Sequence, residues 1–225
     1  MAPLEQCAHA SPTCNEAIRP AVFTPDKWLG IKPPAGHLYD GLTYLLQAAQ
    51  EWQVQCLLGV GLGGYQPQVY AMDSVFLRAR SLFEFFLGRS KTHCHAGCLF
   101  GLKQPLSYPA YNDRTSSSPT WECVLHIGSL HIKAREDAPR LIGLDGTPKD
   151  LNEMPVDFAK GILKVWSDFE AALKAVDGLQ HNMAVKCREQ AIADSHAVVD
   201  SVQQRADKYA ESYTPNHILT KVFSV

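Results

Sequence analysis

The chain has 225 residues, 46 % of them hydrophobic and 20 % charged, the composition of a globular protein with a sizeable core rather than of a disordered chain. Its formal net charge of −2 provides no global field to hold nucleic acid or an anionic membrane, so any contact with RNA needs a local basic patch. No stretch approaches the roughly 18 consecutive apolar residues of a membrane span. The opening from Met1 to Cys14 is polar and broken by prolines, unlike the basic-then-apolar order of an export signal. The cysteines Cys7, Cys14, Cys56, Cys94, Cys98, Cys123 and Cys187 are odd in number and scattered, which fits reduced thiols in a cytoplasmic protein better than a disulfide framework.

Residues 1–36 hold six prolines and few periodic apolar positions, the pattern of an irregular N-terminal arm that ends at Lys32-Pro33-Pro34-Ala35-Gly36. A helix follows. Leu38, Leu42, Leu45, Ala49, Trp52 and Cys56 recur at spacings of four and three and define one helical face. Gly59 to Gly64 ends that helix, and a second is expected from about Pro67 to Leu87, with Met72, Val75, Phe76, Ala79, Leu82, Phe83 and Phe86 on its apolar side. Residues 88–118, interrupted by glycine and proline, read as a long irregular loop.

A third helix is expected over Thr120 to Asp137, with Val124, Ile127, His131 and Ala134 facing inward. Gly143-Leu144-Asp145-Gly146-Thr147-Pro148 is turn chemistry. The fourth helix covers about 152–177 on the stripe Phe158, Ile162, Val165, Phe169, Leu173 and Val176, with Gly178 as its C-terminal cap. The last spans about 180–212 and is more polar, with Met183, Cys187, Ala191, Val198, Val202 and Tyr209 as a thin seam. Period-2 alternation is absent over any useful length. The expected architecture is all-α: a bundle of about five helices over 37–213, with an irregular arm before it and a short tail, 214–225, after it.

Several constellations could carry chemistry. Gly59-Val60-Gly61-Leu62-Gly63-Gly64 matches the spacing of a dinucleotide-binding fingerprint, but that motif needs a strand before the glycines and here a helix leads in. A nucleotide cofactor is therefore not expected. Cys94 and Cys98, with Cys123 and His126 further on, offer the thiolates and imidazole of a tetrahedral zinc site, although 24 residues separate the two halves. Their simpler reading is a loop with a partly buried cysteine and no metal.

His131 stands on the inner face of the third helix with Arg135 four residues on. An imidazole can move a proton near neutrality and a guanidinium can hold a phosphate, a pairing suited to phosphodiester chemistry. Packing alone is the alternative for His131. Arg80 has Glu84 four residues on, the spacing of an intrahelical ion pair. Asp194-Ser195-His196 contains the residue types of a hydrolase triad, but neighbours along a helix diverge and cannot act together.

The text from Met72 to Phe86 (Met-Asp-Ser-Val-Phe-Leu-Arg-Ala-Arg-Ser-Leu-Phe-Glu-Phe-Phe) resembles a helix of HEPN-like bacterial proteins, and Leu130-His131-Ile132-Lys133-Ala134-Arg135 resembles the second motif of that group. The resemblance spans about 38–177 and rests on these two motifs. It implies a small helical bundle, often a homodimer, with a metal-independent RNA-cleaving or RNA-binding role in bacterial defence or toxin–antitoxin systems. The family's catalytic pattern is an arginine followed after four to six residues by a histidine on one helix. Here Arg80-Ser81 replaces the usual Arg-Asn, and no histidine follows Arg80 at that spacing. A catalytic site would therefore combine Arg80 with His131 and Arg135 across helices, His131 as general base and an arginine on the phosphate. A non-catalytic dimerising or adaptor bundle is the alternative, marked by an exposed apolar face on the last helix; a zinc-stabilised bundle is another.

Overall fold

The computed structural model describes residues 34–58, 65–87, 96–102, 106–112, 120–130, 139–209 and 221–224. Helix dominates them. In chain order the elements are α1 (Pro34–Leu58), α2 (Tyr65–Leu87), the short α3 (Ala96–Phe100) and α4 (Pro109–Asn112), α5 (Trp121–Leu130), α6 (Pro155–Lys174) and α7 (Gly178–Tyr209). A two-stranded hairpin, β1 (Leu141–Ile142) and β2 (Pro148–Lys149), precedes α6. The all-α expectation holds, and among the described residues no helix is long and apolar enough to cross a membrane.

The periodic apolar residues form the core. Helix α1 packs on α2 and α7, α2 packs on α5 and α6, and α6 closes on α7. Leu42, Leu45, Ala49, Val75, Phe76, Ala79 and Phe83 are fully buried, as their spacing predicts. Aromatic rings fill the interior and meet mostly edge to face, the arrangement their quadrupoles favour. Phe83 stacks on Tyr111 at 4.5 Å and Trp121 meets Phe158 at 5.1 Å. Phe86, Phe100, Trp166 and Phe169 form a second group. Trp166 also satisfies its indole N–H internally, donating to the Ala184 carbonyl at 3.2 Å and so joining α6 to α7.

The structure corrects several sequence expectations. Helix α1 begins at Pro34, inside the run read as the end of the arm, and Cys56 near its far end is exposed rather than inward. The 88–118 stretch is not one irregular loop: α3 and α4 lie within it, and Tyr108 and Tyr111 contribute buried rings to the core. Helix α5 is described to Leu130; the expected continuation to Asp137 lies outside the described residues.

Gly178 does not cap α6. That helix ends at Ala175, whose N–H bonds back to Ala172 and Leu173. Gly178 instead opens α7, where the Asp177 carboxylate accepts the N–H groups of Leu179 and Gln180 at 2.9 and 3.2 Å, the bonding of an N-cap. The inward seam of α7 is displaced in part, with Ala191 and Val202 buried as expected. Ala184, Ala191, Ile192, Val199 and Val202 are buried, whereas Met183 is exposed and Cys187 half-buried. A thin apolar seam on a polar helix leaves its phase loosely defined by periodicity alone.

The turn signal at 143–148 marks a hairpin, with Leu141 opposite Lys149 and Ile142 opposite Pro148. Gly146 takes φ +79°, which favours glycine, and Asp145 accepts both the N–H and the hydroxyl of Thr147. The hairpin is pinned to α6 by Lys149, whose ammonium lies 2.7 Å from Asp157 and 3.0 Å from Asp145. Trp121 of α5 donates to the Ile142 carbonyl at 3.1 Å. Gly143 makes this seating possible, since a Cβ there would fall 2.6 Å from the Asp157 carboxylate.

Candidate functional site

Arg80 lies on α2 with its side chain about a quarter exposed, and its Nε is 3.0 Å from Glu84 Oε1. The intrahelical ion pair expected from the spacing is present. Its neighbour Arg78 lies over the Tyr44 ring of α1, 5.3 Å from the centroid. Helix α2, which carries the first resemblance motif, packs on α5, whose last described residue, Leu130, is the first of the second motif. His131 and Arg135 lie outside the described residues.

Of the four proposed zinc ligands, Cys98 falls on α3, Cys123 and His126 on α5, and Cys94 outside the described residues. Both helices pack on α2. Cys123 is exposed and its sulfur lies 3.5 Å from the Thr120 hydroxyl. Among the described residues no group of three or more His, Cys, Asp or Glu side chains stands close enough together to hold a metal ion. The glycine-rich 59–64 also lies outside them, but it is entered from a helix and left into a helix, not the strand-turn-helix that a dinucleotide site requires.

Asp194, Ser195 and His196 are engaged separately, as their divergence along a helix predicts. Ser195 is buried and donates to the Ile192 carbonyl at 2.7 Å. Asp194 accepts from Gln190, and the His196 ring meets the Phe223 carbonyl. The polar residues of α7 are thus not merely a solvated face.

The densest polar cluster joins α1, α6 and α7, and the periodicity reading missed it. Glu170 is buried on α6 and takes a 2.9 Å ion pair from Arg188 of α7. The Glu170 carbonyl lies 2.9 Å from Nδ1 of His181, so that nitrogen carries the proton. Cys187, one residue before Arg188, points its sulfur at the Tyr39 carbonyl of α1 at 3.7 Å. Burial first, and then the nearby carboxylates of Asp40, Glu170 and Asp194, push its thiol pKa up to about 12. Burial likewise raises Tyr39 to about 12, with Cys187 adding to it. A thiol so held remains protonated near neutrality and is a poor nucleophile. A charged residue inside the stripe Trp166, Phe169, Glu170, Leu173 was the signal available in the sequence.

The cluster's chemistry is therefore structural. Arg188 neutralises the buried Glu170, and the pair ties α6 to α7 where a lone carboxylate would be strongly disfavoured. No protein-family model, curated protein or solved structure matches this chain.

Proposed function

We propose that this chain is a HEPN-like helical bundle that works by association, as a dimerising or adaptor protein. The observation that carries the reading is an apolar cluster left in solvent at the α6–α7 corner. Leu179 and Met183 stand four residues apart on α7 and are 68 and 42 % exposed, and Val176, expected on the buried stripe, is 39 % exposed in the turn just before that helix. A cluster of exposed apolar side chains at a helix end is a common contact for a second helix. Arg80, the one described member of the expected catalytic set, is already engaged by Glu84 on its own helix.

Sedimentation equilibrium of wild type against the double substitution Leu179→Lys, Met183→Lys tests this. Wild type is expected to be dimeric at micromolar concentration and the variant monomeric with an unchanged circular dichroism spectrum. A wild-type chain that stays monomeric and captures no partner that the variant loses would overturn the reading.

The packing of α2 against α5 supports a second reading, an RNA-cleaving protein, because the residue after the described end of α5 is His131. In that version His131 acts as general base while Arg80 or Arg135 stabilises phosphate charge. Labelled RNA of mixed sequence in EDTA should then be cut by wild type and left intact by His131→Ala of verified fold. Intact RNA with both proteins removes this reading and leaves the first.

A further inference from the structure

The C-terminal residues 221–224 are held against the bundle by contacts of a kind that proteins use to recognise extended peptides. The Val222 N–H donates to the side-chain carbonyl of Gln50 on α1 at 3.1 Å. Gln50 is itself completely buried. One residue on, the Phe223 carbonyl lies 2.8 Å from Nε2 of His196 on α7. A carbonyl only accepts, so Nε2 carries the proton there. Between these two bonds the Phe223 ring enters the main core and is 4 % exposed. Lys221 places its ammonium 3.0 Å from the Asp200 carboxylate, one helical turn beyond His196.

The register is regular. Lys221 sits at Asp200 and Phe223 at His196, so the segment runs antiparallel to α7. A main-chain donor, a main-chain acceptor and one cation are each met by a group on α1 or α7, and the aromatic anchor is buried in the core. The hold is nevertheless slight beside that of a helix. Only one side chain is deeply buried, and the Lys221–Asp200 pair is largely exposed, where such pairs contribute little.

We propose that α1 and α7 form a peptide-recognition groove that is occupied in cis by this C-terminal segment, and that the same groove takes the segment from a second copy when its own is released. The specificity is for an extended apolar segment with a cation two residues before a phenylalanine. Gln50 and His196 read its main chain, and Asp200 reads the cation. The segment is thus a built-in competitor for the groove.

The test uses residues 220–225 as a fluorescein-labelled peptide, followed by anisotropy against the full chain carrying Phe223→Ala and against wild type. The variant, its own anchor removed, is expected to take up the peptide saturably. Wild type should bind it at least about tenfold more weakly, because only the fraction with a released segment is competent. A peptide with alanine at the phenylalanine position should not bind either protein. Absence of uptake by folded Phe223→Ala, or equal uptake by wild type, overturns the proposal. If Phe223→Ala does not fold, hydrogen exchange in the wild-type chain decides. The Val222 amide should exchange at least about a hundredfold faster than amides of the α6 core, since local release precedes global unfolding. Exchange as slow as that core would make the segment a fixed part of the bundle and overturn the proposal. Uptake of the peptide does not involve Leu179 or Met183, so it is unaffected by Leu179→Lys whether or not the chain associates through the α6–α7 corner.

Discussion

Three side chains tie stability to alkaline pH. The Cys187 thiol, ordinarily near 9.0, is pushed up to about 12 by burial and by surrounding carboxylates. Tyr39 and Tyr108 rise from 10.0 to about 12, each chiefly through burial, with Asp157 adding to Tyr108. In each case the folded chain keeps a proton that the unfolded chain releases earlier. The stabilisation is complete below the unfolded values and is lost as pH rises from about 9 towards about 12. The melting temperature should therefore fall from about pH 9 upward, first through Cys187 and then through the two tyrosines. Cys187→Ala should flatten the first part of that fall; a melting curve that stays level throughout would contradict the assignment. At neutral pH, peptide mapping after iodoacetamide treatment should find Cys123 labelled and Cys187 spared, because one is exposed and the other is a half-buried thiol held protonated.

At the scale of elements, α6 approaches α5 and the Tyr108 segment closely because Gly161 has no side chain. A Cβ there would lie 2.7 Å from the Trp121 ring, 3.1 Å from the Tyr108 hydroxyl and 3.3 Å from Phe83. Gly161→Ala brings two opposing effects. Alanine favours the helix by about 1 kcal/mol, while overfilling a packed core typically costs about 1–3 kcal/mol. The ring at 2.7 Å is backed by Phe158 and Phe83 and has little room to yield, so the steric effect wins. Chemical denaturation should show a net loss of up to about 2 kcal/mol. A gain would mean that the aromatic layer gives way more easily than its packing indicates. The stripe beside Gly161, with Phe158, Ile162 and Val165, was legible in the sequence as the inner face of a helix. The approach of Gly161 to Trp121 was not, because the two stand on separate helices, α6 and α5, far apart in sequence.

Over the whole molecule, the association reading makes stability depend on concentration. A partner that binds only the folded chain raises the melting temperature as its concentration rises. Wild type should therefore melt higher when concentrated, and the Leu179→Lys, Met183→Lys variant should melt at one temperature throughout. What the sequence determined by itself was the fold class and most of the core. Periodic apolar residues on α1, α2 and α6 have one low-energy use, burial of that face against another helix, so Leu42, Phe76, Phe83, Ile162 and Phe169 could be placed inside before any neighbour was known. Tertiary structure alone decided the polar connections. Glu170 is marked in sequence only as a charge inside an apolar stripe; its partner Arg188, and the meeting of Gln50, His196 and Phe223, depend on separate segments converging. The phase of α7 was decided there in part, since Ala191 and Val202 are inward as expected, while α1 and α6 select Ala184 and Val199 over Met183. The physical reason is one of range: hydrophobic periodicity is written along a single element, whereas hydrogen bonds and ion pairs require two groups whose meeting depends on how the whole chain packs.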